Sequence, residues 1–375
     1  MRQWISLVVI GSFLLNLAGC ARDSMNSLSE LPPGFTMSPA EQPVQPSTEQ
    51  PSAEQPSGEV QERAVKPPLP TLKDPNIKLP IFLPGQFGIM TWYGYWVTAV
   101  GGGGRTSDAF HTDARQILAW EKFRLMPLSR GYAIVTPTGN FVTAVGGGNR
   151  IAEPVLQSDR TQAQDWELFL PYMNYNTGSF SLRTVSGKYL TAVSGGNNNA
   201  NPFHTDAVKV DRWETLGLYK CGDLGSGYQY AIVNPRTSSP LRALDGGGRT
   251  TADAISLLPI KYDDWARLKL IRQTDGSYAL QTSNGINYVT AVNGGGVVLG
   301  PKTPVVLQTD RTQVQDWEKF RIVDTGNCTY TIQTLSGWYV DAGGGITVYS
   351  TGRSDINYAT KFRLIMFGLD RLSPP

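Results

Sequence analysis

What this chain lacks narrows its class first. It has three cysteines and two histidines in 375 residues, with no CxxC pair and no Cys/His cluster at the spacing of a zinc site. A disulfide-stapled miniature fold and a zinc module are thereby excluded, so the core must be hydrophobic. An excess of one charge is also missing. The formal net charge is +2, with 33 Lys and Arg scattered among 31 Asp and Glu, and no polybasic arm or acidic tail points to nucleic acid or a charged polymer. There is no heptad and no long helical stripe. No serine or cysteine nucleophile is set beside a base, and no metal or other cofactor is implied. Nothing in the pattern favours the paired carboxylates of a glycosidase, so the chain reads as non-enzymatic. What is abundant is glycine, at 40 residues, together with 9 Trp and 16 Tyr. That mixture favours short strands joined by tight turns, an all-β class.

The first 20 residues form a separate unit. Met1 and Arg2 precede an apolar stretch from Ile5 to Leu15, which runs into Leu17-Ala18-Gly19-Cys20. This resembles the bacterial lipobox. The resemblance implies that Cys20 becomes the mature N-terminus and carries acyl chains, several of which hold a soluble domain at a membrane. Ala21 after the cysteine fits transfer to an outer membrane, given a Gram-negative host. Residues 21–81 then turn to Pro, Glu, Gln and Ser, with the near-repeats EQPV, EQPS and AEQPSGE. Such a segment buries no core and acts as an extended spacer. It is read as a disordered stalk.

Beyond the stalk one motif recurs. VTAVGGG at 97–103 and 142–148, LTAVSGG at 190–196 and VTAVNGGG at 289–296 are plainly the same string, and LRALDGGG at 241–248 and VDAGGG at 340–345 fall in the gaps. Copies lie 45 to 51 residues apart. Each is followed by a second landmark: WEKF at Trp120, WELF at Trp166, WETL at Trp213, WARL at Trp265 and WEKF at Trp317. The sixth copy keeps only KFRL, from Lys361. Within the second copy the pattern gives four strands, 132–136, 140–145, 154–157 and 166–170, with Gly139 and Gly146–Gly148 at the turns. The period alone fits a propeller blade or one lobe of a β-trefoil. The order of landmarks, a hairpin with a T-x-x-G turn, a glycine bend, a strand and a loop ending in a buried Trp, is that of a trefoil lobe. A six-bladed propeller is the alternative.

YLTAVSGG at 189–196 and TDRTQVQDWEKFRI at 309–322 resemble the fascin-like β-trefoil family and, more loosely, the ricin B-type lectins. The resemblance spans residues 85–370. Three lobes close one trefoil, so six imply two tandem β-trefoils of three four-stranded repeats each, over 82–222 and 223–375. It also implies a binding or adhesion module, with carbohydrate as the expected partner and a fascin-type protein scaffold as the rival.

Four further expectations concern single residues. Asp113, Asp159, Asp206 and Asp310 each stand seven residues before a landmark Trp, and are expected to pin the loop before the fourth strand by accepting backbone N–H bonds. His111 and His204 occupy equivalent places and make only a weak metal set. Asp341 takes the place that resembles the sugar-binding aspartate of ricin-type lobes, with Tyr349 to stack on a pyranose and Asn357 to bond its hydroxyls. Cys221 and Cys328 fall at lobe boundaries that gather at one barrel end, where they form either a bridge or two free thiols.

Overall fold

The computed structural model describes residues 82–258, 260–296, 306–342, 349–350 and 355–370. The expected signal segment, Cys20 and the expected stalk lie outside these residues. Alternation of apolar and polar side chains produces short strands, four to each of the first three lobes. Lobe 1 holds β1 (Gln86–Met90), β2 (Trp96–Ala99), β3 (Phe110–Ala114) and β4 (Lys122–Leu128). Lobe 2 holds β5 (Gly131–Val135), β6 (Phe141–Ala144), β7 (Leu156–Arg160) and β8 (Leu168–Asn174). Lobe 3 holds β9 (Ser179–Arg183), β10 (Tyr189–Ala192), β11 (Phe203–Ala207) and β12 (Gly217–Cys221). In lobe 4 the second strand is split around Pro240 and Leu241, giving β13 (Gln229–Asn234), β14 (Ser239–Pro240), β15 (Arg242–Ala243), β16 (Ile255–Ser256) and β17 (Leu268–Arg272). Lobe 5 holds β18 (Tyr278–Gln281), β19 (Tyr288–Ala291), β20 (Leu307–Arg311) and β21 (Lys319–Asp324). Lobe 6 holds β22 (Tyr330–Thr334), β23 (Val340–Asp341), β24 (Tyr349–Ser350) and β25 (Arg363–Met366).

The first and last strands of each lobe close a barrel, and the middle two form a hairpin beside it. In the first barrel β1 pairs with β4, β4 with β5, β5 with β8 and β8 with β9, while β12 returns to β1. A bridge between Phe180 and Leu216 completes the circle. The second barrel repeats this through β13, β17, β18, β21 and β22, closed by the Tyr330–Phe362 bridge and by β25 on β13. These are two β-trefoils. Directly opposed residues of an antiparallel pair face the same side, which places six large side chains in one layer of each barrel. They are Phe87 with Phe123, Tyr132 with Phe169 and Phe180 with Leu216 in the first. In the second they are Tyr230 with Leu268, Tyr278 with Phe320 and Tyr330 with Phe362. All twelve are buried, each worth about 2–3 kcal/mol of apolar burial.

Both barrels belong to one compact unit. The guanidinium of Arg363 lies 5.3 Å from the Trp96 ring and 4.8 Å from that of Tyr219. Tyr175 stacks on Phe367 with centroids 6.4 Å apart and donates its hydroxyl to Asp370 Oδ2 at 2.7 Å. Cys221 and Cys328, 107 residues apart in sequence, form a disulfide across the same face.

Two local expectations are corrected. The landmark tryptophans are not packed inside: Trp120, Trp166, Trp213, Trp265 and Trp317 are each between 36% and 49% exposed. The barrel layer is already filled by the Phe or Leu three positions on, and in lobes 2 to 5 the Trp instead sits in the middle of a one-turn 3-10 segment on the rim. The aspartates do not cap a loop either. Asp113, Asp159, Asp206 and Asp310 lie on the third strand of their lobes, inside a β-bulge where one residue of the second strand faces two of the third. The third strand simply runs further than the turn pattern suggested, as in β7, which ends at Arg160 rather than at 157.

Candidate functional site

The repeated motif builds the junction between lobes. In VTAV the valine and alanine face the core, and the threonine between them faces a buried carboxylate, the Glu that follows the landmark Trp. Thr98 donates to Glu121 Oε1 at 2.8 Å, Thr143 to Glu167 at 2.7 Å and Thr191 to Glu214 at 2.6 Å. The second carboxylate oxygen accepts the backbone N–H of the residue three before it, Leu118, Gln164 or Asp211, at 2.7–2.8 Å. Each Glu thus ties the second strand to the 3-10 turn. A buried carboxylate with two donors is tolerated where an unpaired one would be costly. The repetition of Glu directly after Trp was the sequence signal for this pair.

The residue ahead of the bulge aspartate joins neighbouring lobes. Gly104 N donates to Ser158 O and Ser158 N to Arg105 O, at 2.7 and 2.8 Å. Asn149 and Arg150 bond Thr205 in the same way, and Asn197 and Asn198 bond Thr112. The chain of contacts therefore runs from lobe 1 to 2, 2 to 3 and 3 back to 1. In the glycine bend, the third glycine must approach the T-x-x-G turn of the next lobe. A Cβ on Gly148, where φ is +106°, would lie 2.4 Å from Thr184 Oγ1.

This geometry seats each tryptophan at a lobe junction. A Cβ added to Gly102, Gly147, Gly195 or Gly294 would sit 3.4–3.5 Å from Cδ1 of Trp120, Trp166, Trp213 or Trp317. One edge of each indole covers the glycine bend, and nearly half the residue meets solvent. At the junction of lobes 3 and 1 two more aromatics are exposed beside Trp213, namely Trp92 and Tyr93. Neither was singled out from sequence, because an aromatic pair inside a turn reads as unremarkable until its burial is known.

Lobes 4 and 6 depart from the pattern. Arg242 replaces the threonine and Ala266 the glutamate, and the buried guanidinium instead meets Asp263 at 2.7 Å and Leu258 O at 3.1 Å. In lobe 6 the pair is reversed: Asp341 stands in the threonine position and accepts a hydrogen bond from Thr360, which holds the glutamate position. The Ala342 N–H donates to the same Thr360 hydroxyl at 2.9 Å. Asp341 faces Tyr349 across the strand pair. Asn357 is exposed, and its backbone N–H donates to Asp355 Oδ1 at 2.9 Å. The structure therefore brings Asp341 and Tyr349 onto one hairpin, and residues 343–348 and 351–354 between these positions lie outside the described residues.

The remaining titratable groups have local partners. His111 Nε2 lies 2.8 Å from Asp108, and His204 Nε2 lies 3.2 Å from the Asn201 amide. The His111 contact is the main cause holding the Asp108 carboxyl below its ordinary range. Lys220 is fully buried at the mouth of the first barrel, with its amine 3.1 Å from Cys221 O, 3.4 Å from Gln86 O and 4.9 Å from the Phe87 ring centroid. Desolvation pushes its pKa down to about 7, partly offset by Asp223 and Asp324. Burial raises the phenols of Tyr230 and Tyr330, whose hydroxyls donate to Leu224 O and Gly222 O.

No family model matches this chain, and neither does any curated protein. Among solved structures it is similar to a mosquitocidal holotoxin, at 10% identity over 77% of this chain with a TM-score of 0.33. The chain spans 35% of that protein's length. It is also similar to ThreeFoil, a designed 3-fold symmetric protein, at 17% identity over 36% of this chain and 97% of that one, with a TM-score of 0.31. The fold stands on the strand pairing given above.

Proposed function

We propose that this protein is a non-enzymatic carbohydrate-binding module, held at the bacterial outer membrane through lipid on Cys20 and lifted from it by the stalk of residues 21–81. The observation that carries this reading is the set of five tryptophans, each 36–49% exposed at an equivalent rim position. Exposing that much aromatic surface stabilises nothing in the fold, whereas a half-bare indole fixed on a rigid turn is a ready platform for the apolar face of a pyranose. A second place for sugar is lobe 6, where Asp341 stands opposite Tyr349 and Asn357 is exposed. There the carboxylate has one oxygen already engaged by Thr360, which leaves the other for a hydroxyl.

The test is a glycan array probed with the full chain purified in detergent, alongside co-sedimentation with actin filaments. Retention on glycans that free sugar competes away is expected. Pelleting with filaments and no glycan signal would replace this reading with the fascin-type scaffold. Asp341→Ala then separates the two places, since unchanged glycan binding removes lobe 6.

A further inference from the structure

Resting on the carbohydrate reading, we infer that the working site is the junction of lobes 3 and 1, where Trp92, Tyr93 and Trp213 form one platform for a neutral, β-linked oligosaccharide. The pseudo-symmetry of the chain supplies an internal control. Five lobes carry a T-x-x-G turn whose last N–H donates to the threonine carbonyl, as Gly94 does to Thr91, Gly139 to Thr136, Gly187 to Thr184, Gly285 to Thr282 and Gly337 to Thr334. In four of them the third residue also donates its N–H to the carbonyl of the glycine that ends the 3-10 bend of the preceding lobe, lobe 3 preceding lobe 1. Tyr93 bonds Gly195, Thr138 bonds Gly102, Ser186 bonds Gly147 and Asn284 bonds Gly246, all at 3.1–3.2 Å. In lobes 2, 3 and 5 the side chain of that third residue also bonds within the frame, as Thr138 Oγ1 donates to Gly102 O at 2.8 Å, Ser186 Oγ lies 2.9 Å from Thr184 Oγ1, and Asn284 Oδ1 accepts from Thr282 Oγ1 at 3.0 Å. Outside lobe 1 the two middle residues of the turn are Pro137-Thr138, Val185-Ser186, Ser283-Asn284 and Leu335-Ser336. Lobe 1 alone places two aromatics there, at 46% and 62% exposure.

Tyr93 and Trp213 are fixed by what they touch, and Trp92 is exposed next to Tyr93 in the chain. A Cβ on Gly195, at φ +75°, would lie 2.7 Å from Tyr93 Cδ2 and 3.4 Å from Trp213 Cδ1, so both rings abut the same glycine from different lobes. Ser194 and Asn197, both exposed, bracket that glycine in the chain and offer a hydroxyl and an amide near the rings. Ser194 and Asn197 are held at positive φ by the bend, which fixes the rim before any ligand arrives. None of these six residues is charged. A neutral surface of three aromatics with a short polar rim suits a sugar polymer with equatorial hydroxyls, which shows apolar C–H faces and side-facing oxygens, better than a uronic or sulfated one. Three rings span more than one sugar, so a longer oligomer binds better than a monomer.

The experiment titrates the full chain in detergent, by calorimetry, with the β-1,4-linked hexamers of glucose and of N-acetylglucosamine, and with the free monosaccharides. The double substitution Trp92→Ser with Tyr93→Asn copies the turn of lobe 5 and so keeps the backbone bonds. It is expected to weaken hexamer binding at least tenfold, while the same replacement in the equivalent turn of lobe 3, Val185→Ser with Ser186→Asn, changes it less than twofold. Hexamer binding that ignores the double substitution overturns the inference and leaves the carbohydrate reading standing at another junction. Array binding restricted to charged glycans also overturns it alone. Silence on every glycan overturns both, and binding of a proline-rich decapeptide in place of the hexamers assigns the aromatic surface to a protein partner instead.

Discussion

The first trefoil keeps its frame symmetric and varies at the surface, whereas the second varies within the frame. Lobes 1, 2 and 3 make the same Thr–Glu bond at 2.6–2.8 Å. In the second trefoil Thr290 is left without a partner for its buried hydroxyl, lobe 4 rebuilds the place around Arg242 and Asp263, and lobe 6 reverses it as Asp341 and Thr360. In lobes 4 and 6 the replacements come in matched sets because leaving a buried polar group alone is costly. In the first trefoil the turn positions of Trp92 and Tyr93 instead vary where they face solvent.

The largest test of this contrast cuts the disulfide that cross-links its halves. Replacing Cys221 and Cys328 together by Ser opens a closure of 107 residues and is expected to cost about 2–4 kcal/mol. Calorimetry then shows whether the two trefoils melt apart, the second first. A single cooperative transition at the original temperature would mean that the contacts of Arg363 and Tyr175 hold the unit without the bridge.

A smaller effect tests the matched pair in lobe 6. Asp341→Thr leaves the Thr360 hydroxyl without its carboxylate and is expected to cost about 1–2 kcal/mol. Adding Thr360→Glu recreates the arrangement of lobes 1–3 and should recover most of that loss in urea unfolding. Additive costs in the double variant would show that the lobe-6 pair is not equivalent to the Thr–Glu pair.

A third test reads a slope rather than a midpoint: the pH response of Lys220, in the first trefoil. Its folded pKa of about 7 lies below the ordinary lysine value of 10.5. Between these values the unfolded chain binds the extra proton, so this group makes stability rise with pH from about 7 toward 10 and fall as pH drops through 7. Lys220→Met is expected to flatten the urea midpoint against pH between 7 and 9. An unchanged slope would place its origin elsewhere.

Much of this was legible in the residues. The six copies of VTAV-GGG and the WEKF landmark gave the lobe count, and three lobes to a barrel followed. The side of the barrel on which a landmark falls was not legible. Trp166 and Phe169 stand three residues apart, and only the closed layer of Phe87, Phe123, Tyr132, Phe169, Phe180 and Leu216 decides that the phenylalanine fills the core while the indole stays on the rim. In the same way the sequence showed that Asp341 resembles the sugar-binding aspartate of ricin-type lobes but not its bond to Thr360, 19 residues on, which forms only when the lobe closes.

Sequence by itself determined the repeat, its period and the all-β class, because hydrophobic alternation and glycine turns are local properties that each segment carries along its own length. Tertiary structure alone decided which aromatics are exposed and which residues of different lobes meet, as Tyr93 and Trp213 do around Gly195. That outcome depends on closing a barrel between strands β1 and β12, more than a hundred residues apart, and no local pattern encodes which side chains the closure leaves outside.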